Sequence, residues 1–571
     1  MKVLGLAAPF AHDASAALMV DGKVIAAVEE ERFSRKKHDG LPPVNAIKYC
    51  LKEGGLSPED IDVIAFPWSI EPLKQHRWKY FWRWFFSKKV SKAYKKLIRN
   101  KKEFNDRKRF VTESLESCGF DMSKVKIQWV EHQLAHGASS LYFSGMTDAA
   151  VLAIDAGGEI TSTLIGYSEN GNIKKIKEII GDDSLGNFYS TMTDYLGFNR
   201  GNGEYKVMGM APFGDAKKIK LDHVLWWKKF RKTYKCSDDY VWAIRPDRAR
   251  IDKIYSKKMV KELGPEREGD GLSEPYIHVA AATQKKLEEI TLKLVETYLK
   301  DILEKNGGNL CFAGGVALNV VLNRILLDVP YIKNLYVQPA AHDAGTSLGA
   351  AVYVAHQMGD TIEPMIHAYY GPSYSNQEIE EELKKWKYSY SKEGDICKSA
   401  ADILICGDVV AWFQGRMEWG PRALGNRSIL GNPTVKGTAD KINEIIKFRE
   451  KWRPFCPSML KEHTQEILGT DHSAPFMTIA FKVTDQWKEK MPEVVHVDNT
   501  LRPQAVDKKT NPMYHQLISF FYESTGLPVV INTSLNRRGE PIVCSPHDAM
   551  VMFEGSGLEY MAMGDFLVKK K

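Results

Sequence analysis

The 571-residue chain is too long for one hydrophobic core and should form two large domains or three, and its 44% hydrophobic and 26% charged residues are typical of a soluble globular protein. Its net charge is +7, but residues 74–109 alone carry fifteen Lys and Arg against two acids, a local +13 that leaves the rest net acidic. That distribution argues against a nucleic-acid-binding protein.

No apolar run approaches the ~18 residues that span a bilayer. The first residues break at Pro9 before any signal-type cleavage site. The eight cysteines are scattered without a CxxC pair, which argues against a zinc ribbon and a disulfide scaffold. These features predict a cytoplasmic protein with no membrane partner.

Two stretches share a pattern of strand, loop and hairpin. Residues 3–8 form an apolar strand pattern, followed by two apolar segments around Asp21-Gly22, a strong signal for a two-residue hairpin turn. Residues 149–178 repeat this order, with Asn170-Gly171 at the hairpin turn. The repetition predicts an internally duplicated α/β domain, as in the actin and sugar-kinase superfamily, where a nucleotide lies between the halves.

The histidines of EHQLAH have the spacing of metal ligands. On a helix, His132 and His136 project from one face about one turn apart. Asp155 ends a buried apolar run and Asp343 follows a second strand-like sequence, so we expect two carboxylates to converge on the imidazoles. This mixed nitrogen and oxygen set suits iron(II), manganese, cobalt or zinc, among which the sequence does not choose.

Residues 309–320 predict a further strand, then Gly314-Gly315, then a helix start. Glycines at such a junction let the backbone approach an adenosine or a phosphate closely. The insertion at 71–109 interleaves aromatic and basic residues. It fits a membrane surface, a nucleic-acid face or a lid over an acceptor, and equally a helical excursion that packs on the domain with its lysines in water.

A change to Pro, Gly and Ser over residues 358–374 predicts a boundary between domains 1–358 and 369–571. Beyond it, cations alternate with turn residues and apolar positions. This pattern predicts an enclosed polyanion pocket, where guanidinium groups bind phosphate oxygens and a hydroxyl or amide completes the set. The candidate residues are Arg416, Arg422, Arg427, Lys447, Arg449, Arg453, Arg502, Asn532, Thr533, Ser534 and Asn536.

The chain resembles the O-carbamoyltransferases of nodulation-factor and antibiotic biosynthesis over essentially its whole length. The motifs that carry the resemblance are, in order, HDASAA, EEERFSRKKH, EHQLAH, KVMGMAPFG, FAGGVALN, GRMEWGPRALGNRSIL, FRxxWRPFCPS and VINTSLNxxGEP. The resemblance implies an N-terminal Kae1-like domain of the actin/sugar-kinase (ASKHA) type, followed by a YrdC-like α/β domain. It also implies a role in secondary metabolism.

Two catalytic centres follow from the resemblance. In the YrdC-like domain, carbamoyl phosphate and ATP would give carbamoyladenylate and pyrophosphate. In the Kae1-like domain, an acceptor hydroxyl would attack this intermediate and AMP would leave. The first centre would contain the catalytic residues Lys447, Arg449, Arg502 and Ser534, with Asn532, Arg416 and Arg422 as nucleotide-binding residues. The second would bind a metal, iron(II) in the best-known family member, through His132, His136, Asp155 and Asp343, and the adenylate through Lys37, Gly157, Gly158, Gly315 and Asn319 together with the two aspartates.

His12 is the predicted general base for the acceptor hydroxyl, because an ordinary imidazole titrates near ~6.5. The alternative is a histidine that caps the turn at Asp13. Two positions earlier stands Phe10, where the aminoglycoside-modifying family member has an acid. A phenyl ring does not attract a polycation, so we expect a small-molecule hydroxyl acceptor that is not an aminoglycoside.

A threonylcarbamoyladenosine-type transferase that modifies tRNA is the alternative function, since the same two modules occur there. It would need a broad basic face, and outside residues 74–109 this chain is net acidic. We therefore predict no nucleic-acid partner. The resemblance also suggests a homodimer.

Overall fold

The computed structural model describes residues 1–7, 13–76, 78, 90–241 and 253–570. The predicted base His12, Phe10 and most of the aromatic part of the 71–109 insertion lie outside these described residues. The chain forms two compact units: unit 1 comprises Met1–Ile25 and Gly40–Pro364, and unit 2 comprises Ala26–Asp39 and Met365–Lys571. Within the described ranges, no helix is long and apolar enough to cross a membrane.

The strands of the N-terminal half are short and largely buried. They are β1 (Lys2–Ala7), β2 (Ser15–Val20), β3 (Lys23–Glu29), β4 (Val63–Phe66), β5 (Ile127–Trp129), β6 (Ala150–Ile154), β7 (Thr161–Glu169), β8 (Asn172–Ile180), β9 (Leu225–Lys228), β10 (Thr233–Cys236), β11 (Asn309–Ala313) and β12 (Asn334–Val337).

The α-helices whose bounds lie within the described residues are numbered in chain order. They are α1 (Glu31–Ser34), α2 (Val44–Gly54), α3 (Val90–Glu116), α4 (His132–Leu141), α5 (Leu185–Tyr195), α6 (Glu204–Met210), α7 (Lys257–Leu263), α8 (Tyr276–Tyr298), α9 (Lys300–Lys305), α10 (Val320–Leu327), α11 (Gly345–Gln357), α12 (Asn376–Leu383), α13 (Ile396–Ile405), α14 (Thr438–Lys441), α15 (Thr464–Leu468), α16 (Asp485–Lys488), α17 (Pro512–Thr525) and α18 (Pro546–Glu554).

The N-terminal half contains two five-stranded sheets of the same topology, ordered β3-β2-β1-β4-β5 and β8-β7-β6-β11-β12. In each sheet the central strand, β1 or β6, pairs antiparallel with the strand that follows it in the chain, β2 or β7. On its other side it pairs parallel with β4 or β11. The repeated order confirms the duplicated α/β organisation predicted for this half. In the second sheet, β6 is buried along its whole length and ends next to Asp155, so the sheet delivers this carboxylate to the edge where β11 also ends.

Both predicted hairpin turns are present. Asp21 and Gly22 have φ values of 50° and 79°, and Asn170 and Gly171 have values of 51° and 74°. Two consecutive residues with positive φ are the signature of a type I′ turn, whose twist matches that of the flanking strands. The turns join β2 to β3 and β7 to β8.

Unit 2 is built on one eight-stranded mixed sheet, ordered β13-β22-β21-β14-β15-β20-β16-β19. Its strands, with the separate β17-β18 pair, are β13 (Ser389–Lys392), β14 (Val410–Phe413), β15 (Arg427–Gly431), β16 (Cys456–Leu460), β17 (Phe481–Lys482), β18 (Thr500–Leu501), β19 (Gln504–Val506), β20 (Val529–Ser534), β21 (Tyr560–Met563) and β22 (Phe566–Lys569). This sheet confirms the predicted second α/β domain. Because β20 lies between β15 and β16, its end at Ser534 is placed inside the sheet and not at its edge.

Candidate metal centre and anion-binding centre

In unit 1, helix α4 begins at His132 and presents His132 and His136 one turn apart. A carboxylate oxygen of Glu159 fixes this start, accepting hydrogen bonds from the backbone N–H of His132 at 3.0 Å and of Ser69 at 2.7 Å. A carboxylate is stable there because the first N–H groups of a helix lack intrahelical partners. Both imidazoles are buried, and their Nε2 atoms lie 3.2 Å apart.

Asp155 and Asp343 bring two carboxylates to these histidines. Oδ2 of Asp155 lies 3.6 Å from Nε2 of His132. Oδ1 of Asp343 lies 3.6 Å from Nε2 of His132 and of His136. One donor atom from each of the four residues lies within 4.8 Å of the other three. Two imidazole nitrogens and two carboxylate oxygens that converge so closely fit a divalent transition metal, so the four residues form a candidate metal site.

The protonation of His132 reflects this surrounding charge. Burial favours the neutral imidazole, but hydrogen bonds to Asp155 and Asp343 outweigh it and raise the pKa of His132 to about 10. Burial and the charge of Asp343 disfavour ionised Asp155, yet the hydrogen bond from His132 and the charges of both histidines hold the pKa of Asp155 below its ordinary value. A metal ion that binds here must displace a proton from His132.

Glycines next to these ligands leave room for them and orient one of them. The backbone N–H groups of Gly315 and Gly157 donate to the two carboxylate oxygens of Asp155 at 3.0 and 3.2 Å. A Cβ at Gly315 would lie 2.8 Å from Oδ1 of Asp155, and a Cβ at Gly158 would lie 2.9 Å from Cβ of His132. The three glycines therefore support the metal ligands, and their contact with an adenylate stays a prediction.

Asn319 has a structural part in the same unit. Its Oδ1 accepts the N–H of Leu322 at 2.9 Å and caps α10. Its amide nitrogen donates to Oε1 of Gln284 on α8 at 2.8 Å. These bonds tie α8 to the start of α10, next to the glycine segment. The predicted role of Asn319 at an adenylate is compatible with this position but is not tested by it.

In unit 2, Lys447 is the centre of a hydrogen-bond cluster at the end of β20. The chain forms a π-helical turn over Ile442–Lys447 and leaves it through Phe448, which has a φ of 50°. The buried Nζ of Lys447 donates to the Ser534 carbonyl at 2.6 Å, to Ser534 Oγ at 3.2 Å and to Asn536 Oδ1 at 2.6 Å. Ser534 Oγ in turn donates to Asn536 Oδ1 at 2.7 Å. The cluster brings together two residues that the sequence assigned to one centre.

Several further cations act on Lys447. Burial, followed by the charges of Arg449, Arg453 and Lys37, lowers the pKa of Lys447 well below its ordinary value. Burial and the charge of Arg453 lower the pKa of Arg449 in the same way. Lys37 lies in the Ala26–Asp39 segment of unit 2, where its charge acts on Lys447. Its contact with an adenylate stays a prediction. Clustered buried cations of this kind are stabilised when a polyanion binds among them.

One carboxylate partly balances this cluster. Glu450 has a fully buried side chain that lies 3.7 Å from a guanidinium nitrogen of Arg453 and 3.5 Å from one of Arg538. Sequence reasoning missed Glu450 and Arg538. The available signal was the Arg537-Arg538 pair inside the LNRRGEP motif, which adds a cation at the end of the segment that carries Ser534.

Arg502 and Asn532 lie on the side of the centre formed by β16 and β19. Nε and Nη2 of Arg502 donate to Sγ of Cys456 at 3.0 and 2.6 Å. The amide nitrogen of Asn532 donates to Ser458 Oγ at 2.9 Å and to Gln504 Oε1 at 3.2 Å. The donor side of Asn532 is therefore engaged within the sheet, so a ligand would meet its acceptor oxygen.

The arginines between β14 and β15 divide into different roles. Arg427 is fully buried, donates to the carbonyl of Gln414 at 2.6 Å and lies with its guanidinium over a phenylalanine ring. The Nη groups of Arg427 are therefore used by backbone carbonyls, and its place in the polyanion pocket stays a prediction. Arg416 donates to the carbonyl of Tyr370 at 2.8 Å, and Arg422 is half-buried in the same loop.

The EEERFSRKKH segment packs in unit 2, although its place in the sequence groups it with the N-terminal half. Arg32 forms a buried ion pair with Glu29. Arg35 donates to the carbonyls of Pro541 at 2.9 Å and Ile542 at 2.7 Å. The physical reason is that Arg35 finds these acceptors, and Arg32 the carbonyl of Gly420 at 3.1 Å, in the later part of unit 2. The sequence feature that indicated this packing was the density of charged residues, which is too high for a segment that directly follows a buried strand.

Comparison with known proteins gives two family matches that together cover most of the chain. The profile described as Carbamoyltransferase N-terminus matches residues 2–352, and that described as Carbamoyltransferase C-terminus matches residues 401–570. The nodulation protein NolNO of Sinorhizobium fredii is 34% identical over 100% of this chain and 80% of its own. The 3'-hydroxymethylcephem-O-carbamoyltransferase of Amycolatopsis lactamdurans is 30% identical over 63% of this chain and 64% of its own.

Among solved structures, HypF of T. kodakarensis is similar at a TM-score of 0.31 and 12% identity, over 63% of this chain and 48% of its own. A likeness this weak adds nothing to what the repeated sheet order establishes.

Proposed function

Because the chain belongs to the carbamoyltransferase family, we propose that it makes carbamoyladenylate from carbamoyl phosphate and ATP in unit 2 and transfers the carbamoyl group to a hydroxyl of a small molecule in unit 1. The family makes it a transferase. The observation that carries the finer proposal is the pairing, on one chain, of a cation-rich centre around Lys447 with a separate His and Asp centre around His136.

The cation-rich centre suits activation chemistry. The two substrates, carbamoyl phosphate and ATP, are both anions, and so is the carbamate that attacks ATP, so their mutual repulsion must be neutralised before a carbamate oxygen reaches the α-phosphorus. Lys447, Arg449 and Arg502 supply N–H donors there, whose positive charge a bound polyanion stabilises, and Ser534 supplies a hydroxyl held by Lys447. Their placement before substrate binds avoids reorganisation during the reaction, which is the main electrostatic advantage of such a site.

Atom balance fixes the products. Carbamoyl phosphate must lose its phosphoryl group to water, giving carbamate and phosphate, before a carbamate oxygen can attack the α-phosphorus of ATP. The bond between the α- and β-phosphates then breaks, and pyrophosphate leaves with the bonding electrons. Each carbamoyladenylate is therefore accompanied by one phosphate and one pyrophosphate.

The centre in unit 1 suits the transfer step. A divalent cation held by His132, His136, Asp155 and Asp343 supplies Lewis-acid polarisation of a carbonyl oxygen. Asp155 is oriented by glycine N–H groups, and Asp343 is the more exposed carboxylate, so the centre is reached from the side of Asp343. The acceptor hydroxyl forms a bond to the carbamoyl carbon, its proton passes to a base, and AMP leaves. His12 stays the predicted base.

The proposed function and the tRNA-modifying alternative differ in the substrate that supplies the carbonyl group, which is carbamoyl phosphate in the first and bicarbonate with threonine in the second. We expect purified protein to release pyrophosphate from ATP when carbamoyl phosphate is added, and to release none with threonine, bicarbonate and tRNA instead. Pyrophosphate can be measured by a coupled colorimetric assay with each donor in turn. Release that depends on threonine and bicarbonate would overturn the proposal in favour of the alternative.

A further inference from the structure

The cysteines differ in what their sulfur atoms do. Sγ of Cys118, Cys236 and Cys397 donates to backbone carbonyls at 3.7, 3.4 and 3.3 Å, and only a protonated thiol can do so. Sγ of Cys456 has the opposite role, because it accepts two hydrogen bonds from the guanidinium of Arg502 at 3.0 and 2.6 Å. The sulfur of Cys456 thus accepts hydrogen bonds, whereas the sulfur atoms of these three cysteines donate them.

The groups around Cys456 are hydrogen-bond donors and cations. A planar guanidinium that donates two parallel N–H groups is the arrangement that proteins use for anions. Arg449 and Arg453 are buried near Arg502 and are also electrostatic partners of Cys456. Reactive cysteines in proteins commonly lie beside cationic groups of this kind.

A second, independent feature marks this place as a ligand site. Asn532 on β20 lies directly opposite Cys456 on β16 in the antiparallel pair, so the two side chains share one face of the sheet. Asn532 is almost fully buried, and among the described residues its Oδ1 has no hydrogen-bond partner. An unpaired buried acceptor next to a guanidinium fork matches a small ligand with an NH2 group at one end and a phosphate at the other.

We propose that Cys456 is a modification site of the anion-binding centre, whose sulfur reacts with small electrophiles and with hydrogen peroxide while the centre is empty. With iodoacetamide, a sulfur–carbon bond forms, the carbon–iodine bond breaks and iodide leaves with the electron pair. With hydrogen peroxide, a sulfur–oxygen bond forms and the oxygen–oxygen bond breaks, so the sulfur is oxidised by two electrons to sulfenic acid and the peroxide is reduced to water.

The modification has a direct consequence for binding. Either product replaces an acceptor that Arg502 holds with a bulkier group, at a position where Cys456 is only 6% exposed. The phosphate subsite next to Asn532 is then obstructed. Modified protein is expected to bind anions weakly, and bound anion is expected to shield the sulfur. The expectation that bound carbamoyl phosphate shields the sulfur rests on the proposed function, whereas the labelling of Cys456 does not.

The test is mass-spectrometric mapping of iodoacetamide adducts on the full chain, with Arg502→Met as the decisive variant. We expect Cys456 to be labelled faster than Cys397, and its rate to fall at least about tenfold in Arg502→Met, because the cation that activates the sulfur is gone. If Arg502 merely shielded the sulfur, the rate would rise in the variant. Either that rise or the absence of any adduct on Cys456 would overturn the proposal.

Controls use the same digests. Cys406 is exposed and distant in sequence from the cluster, so its labelling should be equal in wild type and Arg502→Met. Inorganic phosphate should slow labelling of Cys456 and leave Cys406 unaffected; equal rates with and without phosphate would contradict the shared site. Treatment with peroxide should abolish most of the pyrophosphate release by the wild-type protein. The same treatment should remove a smaller fraction of the pyrophosphate release by Cys456→Ser. Adduct mapping needs no turnover, so the labelling result can be interpreted even if the proposed function is wrong.

Discussion

Replacing Lys447 with methionine is expected to lower carbamoyl phosphate-dependent pyrophosphate release at least about 100-fold, the loss typical of removing one preorganised electrostatic group. Methionine keeps the length of the side chain and removes the ammonium group. The variant loses the donor that holds Ser534 Oγ and Asn536 Oδ1. It also loses the ammonium charge that a polyanion bound among the neighbouring cations would stabilise. The measurement is the initial rate of pyrophosphate release at saturating ATP.

Lys461→Met provides the matched control. Lys461 also lies in unit 2 but is exposed, and it pairs with Asp507 at 2.7 Å. We expect this variant to keep the wild-type rate, since exposed ion pairs contribute at most about 1 kcal/mol. Circular dichroism and thermal unfolding of both variants separate a loss of chemistry from a loss of fold. A folded Lys447→Met protein with the wild-type rate would remove Lys447 from the reaction.

Replacing His136 with alanine is expected to weaken the binding of ferrous iron at least about 100-fold and to leave pyrophosphate release near the wild-type rate. The imidazole is fully buried and supplies one of the four convergent donor atoms, and even ligand-supporting residues change metal affinity by about 10–100-fold. In the proposed function, pyrophosphate is released in the other unit and its release does not use this side chain. Equilibrium dialysis under nitrogen measures the iron bound.

His223→Ala is the matched control, because His223 lies in the same unit, is exposed and pairs with Glu262. It should bind iron as the wild type does. His136→Gln, which keeps more of the side-chain volume, distinguishes a lost ligand from a collapsed helix. Equal loss of iron binding and of pyrophosphate release in the His136 variants would contradict the assignment of the two steps to different centres.

The same dialysis experiment, repeated at several pH values, tests how the affinity for iron depends on pH. The pKa of His132 is raised to about 10 by Asp155 and Asp343, so at neutral pH the bound proton must leave before iron binds. Affinity for iron is therefore expected to rise with pH, by up to about tenfold per unit below that pKa. Removing the carboxylate in Asp343→Asn lowers the affinity but also makes this proton easier to lose, so the pH dependence should become shallower.

Local signals in the sequence predicted those parts of the fold that depend on neighbouring residues. The turns at Asp21-Gly22 and Asn170-Gly171 follow from residues that tolerate positive φ, and both are present. The convergence of His132, His136 and Asp155 follows from helical spacing and from the place where a buried strand ends. In each case the geometry is set within a few residues, or by a helix and the strand that follows it in the chain.

What the sequence could not supply depends on partners that are far away along the chain. Arg427 and Arg449 occur in similar surroundings in the sequence, yet the donors of Arg427 are used by backbone carbonyls while Arg449 lies among other cations. Arg35 finds its acceptor at Ile542, 507 residues later. Whether a cation is surrounded by backbone carbonyls or by other cations is decided by tertiary packing, which a local pattern of charges does not encode.

The measurement that tests the account most directly is the identification of the nucleotide product without any acceptor. Wild-type protein is incubated with ATP, 13C-labelled carbamoyl phosphate and ferrous iron, and the products are separated by chromatography and identified by mass spectrometry. The account predicts labelled carbamoyladenylate, with phosphate and pyrophosphate in equal amounts. ADP and phosphate as the only products, or no labelled nucleotide, would contradict activation in unit 2 and with it the two-centre reaction.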